Sequence, residues 1–179
     1  MDHTLASMPP LQGRTLVLVD TSGSMGAGFS RNGGISRWEA AAVFGSALAL
    51  RAENADLYEW GSGFRRIEFT RGDSVLTTAG KLGGQGGTDL RNAIQGTYRR
   101  GYHDRIVILT DEQSHSTWAG GIDQGTNVHV WNLAGYRFGA VPGLPRYYVW
   151  GGLSDQCFTL MQHVEAGGDA AWPWEAPAA

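Results

Sequence analysis

The chain is short of cysteine, of lysine and of long apolar runs. Cys157 is the only cysteine in 179 residues, so no intrachain disulfide is possible, and a reducing compartment fits. It lies in "SDQCFTLMQHV", whose apolar spacing predicts a helix with the thiol packed inside. Lys81 is the only lysine. A P-loop needs a glycine-rich loop closed by Lys-Ser or Lys-Thr, and none occurs. No apolar run approaches the roughly 18 residues of a membrane span. The N-terminal "MDHTLASMPPLQGR" lacks the basic start and apolar core of a signal peptide. A soluble, cytoplasmic, monomeric protein with no membrane partner is expected. Positive charge is scarce too: the net charge is -3, which is no electrostatic magnet for nucleic acid. Arg65-Arg66 and Arg99-Arg100 are expected to be solvated surface pairs, since a nucleic-acid footprint needs a clustered basic face.

What is present is glycine, 27 residues of it, and seven Trp, in a length that suits one domain. The glycines show no period and fit many tight loops between compact elements. Residues 1–12, closed by Pro9-Pro10, read as a linker, residues 13–166 as the folded domain, and residues 167–179 as a tail. "RTLVLVD" and "DRIVILTD" are continuous apolar runs ending in Asp, as expected of strands buried on both faces of a parallel sheet. "NVHVWNLAG" and "RYYVWGG" are further strands. "ADLYEWG" and "RRIEFT" form a hairpin around "SGF", whose alternation suits an antiparallel edge. Ser36 and Glu39 make a capping-box signature ahead of a helix that is apolar nearly all round from Ala40 to Leu50. In "DLRNAIQGTYRR", Leu90, Ala93, Ile94 and Thr97 share one face. Strand and helix alternate, so the fold class is a doubly wound α/β domain: a mostly parallel central sheet with helices on both faces.

In such folds ligands bind beyond the carboxyl ends of the strands. Asp20 and Asp111 each directly follow an apolar strand, so both carboxylates are expected at one edge of the sheet. The loop after the first strand adds Ser22 and Ser24 at alternate positions. The glycine-rich "GGQGGTDL" delivers Thr88 to the start of a helix. Asp20, Ser22, Ser24, Thr88 and Asp111 supply oxygen alone, two carboxylates and three hydroxyls. That set suits a hard divalent ion, Mg²⁺ first, with Mn²⁺ or Ca²⁺ as alternatives. No His or Cys lies in these loops to favour zinc.

Read together, "DTSGS" at 20–24, Thr88 in "GGTD" and Asp111 in "LTDE" resemble the metal-ion-dependent adhesion site of von Willebrand factor A domains. The resemblance covers nearly the whole chain. It implies that Ser22, Ser24 and Thr88 are direct or near-direct ligands, while the two aspartates often act through water in that family. "LASMPPLQGRTLVLVDTSGSM", "GGTDL", "LTDEQS" and "GGLSDQCFTLM" are similar to the C-terminal A domain of bacterial Ro-like (TROVE) proteins. Those proteins bind small noncoding Y RNAs and take part in RNA quality control. The helical-repeat ring that binds most of the RNA in that family is absent from this chain.

The function expected is therefore a metal-dependent binding module and not an enzyme. An acidic group of a partner, a Glu or Asp carboxylate or a phosphate, would complete the coordination. Two alternatives stand beside it. A metal-dependent hydrolase using Asp20 as nucleophile would want a second carboxylate two residues on and a nearby lysine, and position 22 is Ser. Direct RNA binding through a metal-bridged phosphate conflicts with the acidic balance. Asp89 is expected to cap the helix that follows Thr88 rather than to ligate. Glu112 is set aside, because its side chain should point away from Asp111. His115 is read as a surface-loop histidine, although a base for either serine would have to be such a residue. Trp118 and Trp131 are read as packing residues, and Trp172 and Trp174 lie in the tail.

Overall fold

The continuous apolar runs become the middle of a six-stranded sheet. In the computed structural model, residues 10–29, 34–84, 86–111, 120–134, 145–153 and 156–167 are described. Strand β1 (Leu11–Asp20) is followed by a short 3-10 turn (Gly23–Gly26), helix α1 (Arg37–Arg51), β2 (Ala52–Trp60) and β3 (Phe64–Arg66). Then come α2 (Val75–Ala79), α3 (Leu90–Thr97), β4 (Arg105–Thr110), β5 (Asn127–Asn132), β6 (Tyr147–Gly151) and α4 (Gln156–Glu165). The strand order is β3-β2-β1-β4-β5-β6. Every neighbouring pair is parallel except β2 and β3, the expected antiparallel edge hairpin.

The absence of alternation in β1 and β4 follows from helices on both faces. Val17, Val19, Val107 and Leu109 join Ala41, Phe44 and Leu48 of α1 and Phe158 and Met161 of α4 in one core. The residues between them, Leu16, Leu18, Ile106 and Ile108, join Leu90, Ala93 and Ile94 of α3 in the other. Successive side chains of a strand point to opposite faces, so a strand with two covered faces needs apolar residues at every position. Trp131 is fully buried against Phe44, with ring centroids 5.4 Å apart, and so belongs to the core. Cys157 is buried as expected.

Helix α1 starts where its capping box says. Ser36 Oγ accepts from Glu39 N at 3.3 Å, and Ser36 N donates to Glu39 Oε2 at 2.8 Å. Gly45 lets the helix lie close on the sheet: a Cβ there would meet Val19 Cγ2 at 2.6 Å and Leu109 Cδ1 at 3.0 Å. Both contacts are with the two strands that carry the aspartates, so this close approach also fixes the height of the helix relative to the rim.

One boundary differs from the sequence reading. Strand β1 begins at Leu11, inside the stretch read as a linker; Leu11 is fully buried and pairs with Ala52. The register shifts between Leu11 and Arg14, and Gly13 sits at φ +78°. That left-handed kink, which glycine adopts without penalty, breaks the apolar run and hides the strand's start.

Candidate metal centre

Neighbouring strands set the first two positions of the site. Strands β1 and β4 pair in the register Val19↔Leu109, so Asp20 and Thr110 follow side by side and Asp111 lies one step beyond. Asp20 and Asp111 are both fully buried at this rim. Asp20 Oδ2 accepts from Thr110 Oγ1 at 2.7 Å, and Asp20 Oδ1 accepts from Ser22 N at 2.9 Å. The chain then turns through the 3-10 segment, which places Ser22 Oγ and Ser24 Oγ 3.2 Å apart.

The glycine-rich loop docks onto this turn through its backbone. Gly23 N donates to Gly86 O at 2.8 Å, and Ser22 and Gly86 form a parallel bridge. Gly86 has φ +83°, a conformation that a side chain would disfavour. Gly87 N donates to Ser62 Oγ at 2.6 Å, and Asp89 N to Gly61 O at 2.9 Å, so the backbone on each side of Thr88 is fixed. Thr88 itself is exposed. Asp89 accepts from Asn92 N at 3.0 Å as the N-cap of α3, the role expected of it. Of the five residues singled out, Asp20, Ser22, Ser24 and Asp111 thus share one rim, and Thr88 stands on the loop paired with Ser22.

Two residues at this rim escaped the sequence reading. Thr110 contributes a hydroxyl to Asp20, and Arg37, the first residue of α1, holds Nη1 3.8 Å from Asp111 Oδ2. Thr110 was legible in principle, because the register that pairs β1 with β4 sets it beside Asp20. Arg37 was not, because its approach depends on how the chain between the 3-10 turn and α1 folds back. Glu112, His115, Trp118, Trp172 and Trp174 lie outside the described residues.

Electrostatics show what the rim is short of. Burial pushes the Asp20 carboxyl up from 3.8 to about 6, and the charge on Asp111 adds to the rise. Hydrogen bonds from Ser22 and Thr110 offset it only in part. A buried carboxylate pair of this kind is stabilised by a cation close to both. The donors available are carboxylate and hydroxyl oxygens, the chemistry of a hard divalent ion. No group of three or more His, Cys, Asp or Glu that could hold a metal exists among the described residues, and there the hydroxyls are the oxygen donors that accompany the two carboxylates.

Comparison with known proteins identifies the fold but no near relative. No family model matches the chain, and no curated protein matches it. Among solved structures, the Ro protein of Deinococcus radiodurans superposes with a TM-score of 0.66 at 21% identity, covering 91% of this chain. The chain spans only 36% of that protein's length. The conserved hypothetical protein BatB of Bacteroides thetaiotaomicron gives 0.59 at 14% identity, over 86% of this chain and 97% of that one. Proximal thread matrix protein 1 of the mussel byssus gives 0.53 at 12% identity, over 87% of this chain and 45% of that one. A second structure of the mussel protein, with a zinc-occupied MIDAS motif, superposes with a TM-score of 0.50 at 12% identity, over 88% of this chain and 45% of that one.

Proposed function

For a chain that has the von Willebrand factor A fold, we propose a divalent-metal-dependent binding module that captures an acidic group of a partner. The observation that carries this is the Ser22–Ser24 hydroxyl pair, 3.2 Å apart, beside two fully buried carboxylates on the strand rim. Ser22, Ser24 and Thr88 would hold the ion as neutral oxygen donors, with Asp20 and Asp111 supplying the negative charge. A bound divalent ion supplies a hard Lewis-acid position that a carboxylate or phosphate oxygen from a partner completes. The neutral hydroxyls leave that position electrophilic, which favours an anionic partner. Mg²⁺ is the ion the oxygen set suits best, with Mn²⁺ and Ca²⁺ next. The zinc-occupied motif belongs to the mussel protein, and it supports a divalent ion on this fold without selecting one.

The role is one of binding and not of catalysis. Asp20, the residue a phosphatase-like reaction would use as nucleophile, has both carboxylate oxygens engaged, one by Ser22 N and one by Thr110 Oγ1. The likeness to the Ro protein over 91% of this chain supports a finer reading. We read the chain as the A domain of a Ro-like (TROVE) protein of the cytoplasm that takes part in noncoding RNA binding and quality control. RNA is then held chiefly by a helical-repeat domain, and this domain recruits an acidic partner.

Titration calorimetry with Mg²⁺ and Mn²⁺ tests the site directly. Wild type should bind, and Ser22→Ala/Ser24→Ala should bind at least about tenfold more weakly, as for loss of direct ligands. Equal affinities would remove the metal assignment. Phosphatase and ATPase assays with Mg²⁺ should stay at background.

A further inference from the structure

Arg37 stands where a helix least wants a cation. It is the first residue of α1, preceded by the cap Ser36 and followed two residues later by Glu39. The positive end of the helix macrodipole lies there, so an arginine in the first turn is disfavoured by local electrostatics. A residue that breaks a local rule is usually held for a reason outside the helix. Here the reason is visible: its guanidinium turns to fully buried Asp111, 3.8 Å away, and only 16% of the side chain is exposed.

The backbone fixes this position too. Arg37 N donates to Ala27 O at 2.9 Å, and Ala27 N donates to Ser24 O at 3.3 Å. Arg37 is therefore tied through two hydrogen bonds to one of the hydroxyl residues of the rim. Any change in the turn that carries Ser24 is felt at the base of Arg37.

We propose that Arg37 is the built-in counter-cation of the metal centre: it stabilises the metal-free rim and weakens metal binding by competing for Asp111. This rests on the reading of the rim as a divalent-metal site. With Asp20 and Asp111 ionised and no ion bound, Arg37 leaves the rim one negative charge in place of two. With a divalent ion bound, the carboxylates are already balanced, and Arg37 adds one positive charge that repels the ion. The same side chain thus favours the empty state and disfavours the loaded one. It sets the metal affinity downward, towards a range where binding is reversible.

The test is to compare wild type, Arg37→Met and Arg37→Lys for Mg²⁺ affinity by calorimetry and for metal-free thermal unfolding. Arg37→Met should bind Mg²⁺ about tenfold more tightly, because a repelling unit charge a few ångströms away is gone. Without metal its Tm should fall by several degrees, and saturating Mg²⁺ should close most of that gap. Arg37→Lys should keep affinity near wild type. A residue that merely holds the fold would lower both stability and affinity, so the opposite signs are the signature. Should Arg37→Met fail to fold without metal, Arg37→Gln carries the same comparison. Unchanged or weaker Mg²⁺ binding in the charge-removed variant, with wild type binding normally, would overturn the counter-cation role alone. Absence of divalent binding in wild type would overturn the metal reading and this inference with it.

Discussion

Two groups of buried carboxylates on the sheet, the amino-end clusters and the Asp20–Asp111 rim, are held in opposite ways. At the amino end, Asp56 is met by Arg14 at 3.1 Å, Arg66 at 3.0 Å and His103 at 3.2 Å. Burial alone would raise its carboxyl, yet these partners hold it below the ordinary value. Glu165 at the end of α4 is gripped by the Arg105 guanidinium and by His129, and these hold its carboxyl down at about 2 against the effect of burial. At the carboxyl end, burial wins and Asp20 rises to about 6, with hydroxyl and amide donors as its hydrogen-bond partners. The amino-end carboxylates are neutralised by the protein's own cations; at the rim Arg37 lies 3.8 Å from Asp111, and in our proposal a divalent ion supplies the rest. Buried charge paired within the chain reads as architecture; buried charge left largely for a ligand reads as a site.

The largest way to break this comparison is to remove a cation where it is structural. Arg105 reaches Glu165, the Gln12 carbonyl at 2.7 Å and Thr15 Oγ1 at 3.0 Å, tying β4, β1 and α4 together. Arg105→Met should cost about 3–5 kcal/mol in urea unfolding, since it strands Glu165 and the acceptors around it. The matching change at the other end, Asp20→Asn, should shift metal-free stability by no more than about 1 kcal/mol, because no arginine is stranded. Its Mg²⁺ binding should be lost by about a hundredfold or more. A large stability loss in Asp20→Asn would mean that the rim is structural after all.

Acid sharpens the same contrast. The Glu165 carboxyl is depressed from 4.5 to about 2 in the folded protein. Its contribution is therefore complete above pH 4.5 and is lost as pH falls towards 2, to a ceiling of about 3 kcal/mol. Burial also presses His129 below its ordinary 6.5, so its share is present above that pH and is lost on acidification. Unfolding measured between pH 7 and pH 3 should show a falling acid limb. Glu165→Gln should be less stable at pH 7 and should flatten the limb below pH 4.5; an unchanged slope would show that the Arg105–Glu165–His129 cluster is not the acid-sensitive element.

Legibility in the sequence divides along the same line. The rim was readable because Asp20 and Asp111 follow directly on two continuous apolar strands, and because "DTSGS" is a local pattern whose serines are fixed by one short turn. Thr88 was singled out because the glycine-rich loop delivers it to the start of a helix; that the loop's backbone docks on the serine turn came only with the fold. The amino-end clusters were not readable. Arg105 and Glu165 are joined only because α4 packs back onto the sheet, and nothing local in "DRIVILTD" or "MQHVEAGG" announces it. Arg65 shows the same limit: it is exposed, as expected of a surface pair, but its bond to buried Glu59 at 2.5 Å across the hairpin was not foreseen. Periodicity reports which face is covered; it does not report which distant charge arrives there.

The smallest prediction concerns Thr110, a side chain that links the two aspartate strands at the rim. Thr110 is buried, and its hydroxyl donates to Asp20 Oδ2 at 2.7 Å. A hydrogen bond to an anion strengthens as charge develops, so this donor stabilises ionised Asp20 more than protonated Asp20. Thr110→Val preserves shape and β-branching while removing that donor. It should leave metal-free stability within about 1 kcal/mol, since the carboxyl can take up a proton once its support is gone. Mg²⁺ affinity should nevertheless fall by about tenfold, the low end of what a lost partner behind a ligand costs. Calorimetry at pH 7 and again at pH 8 separates the causes: a defect in holding Asp20 ionised should shrink at the higher pH, whereas a displaced carboxylate would stay weak at both. The first outcome makes Asp20's charge the quantity that Thr110 protects.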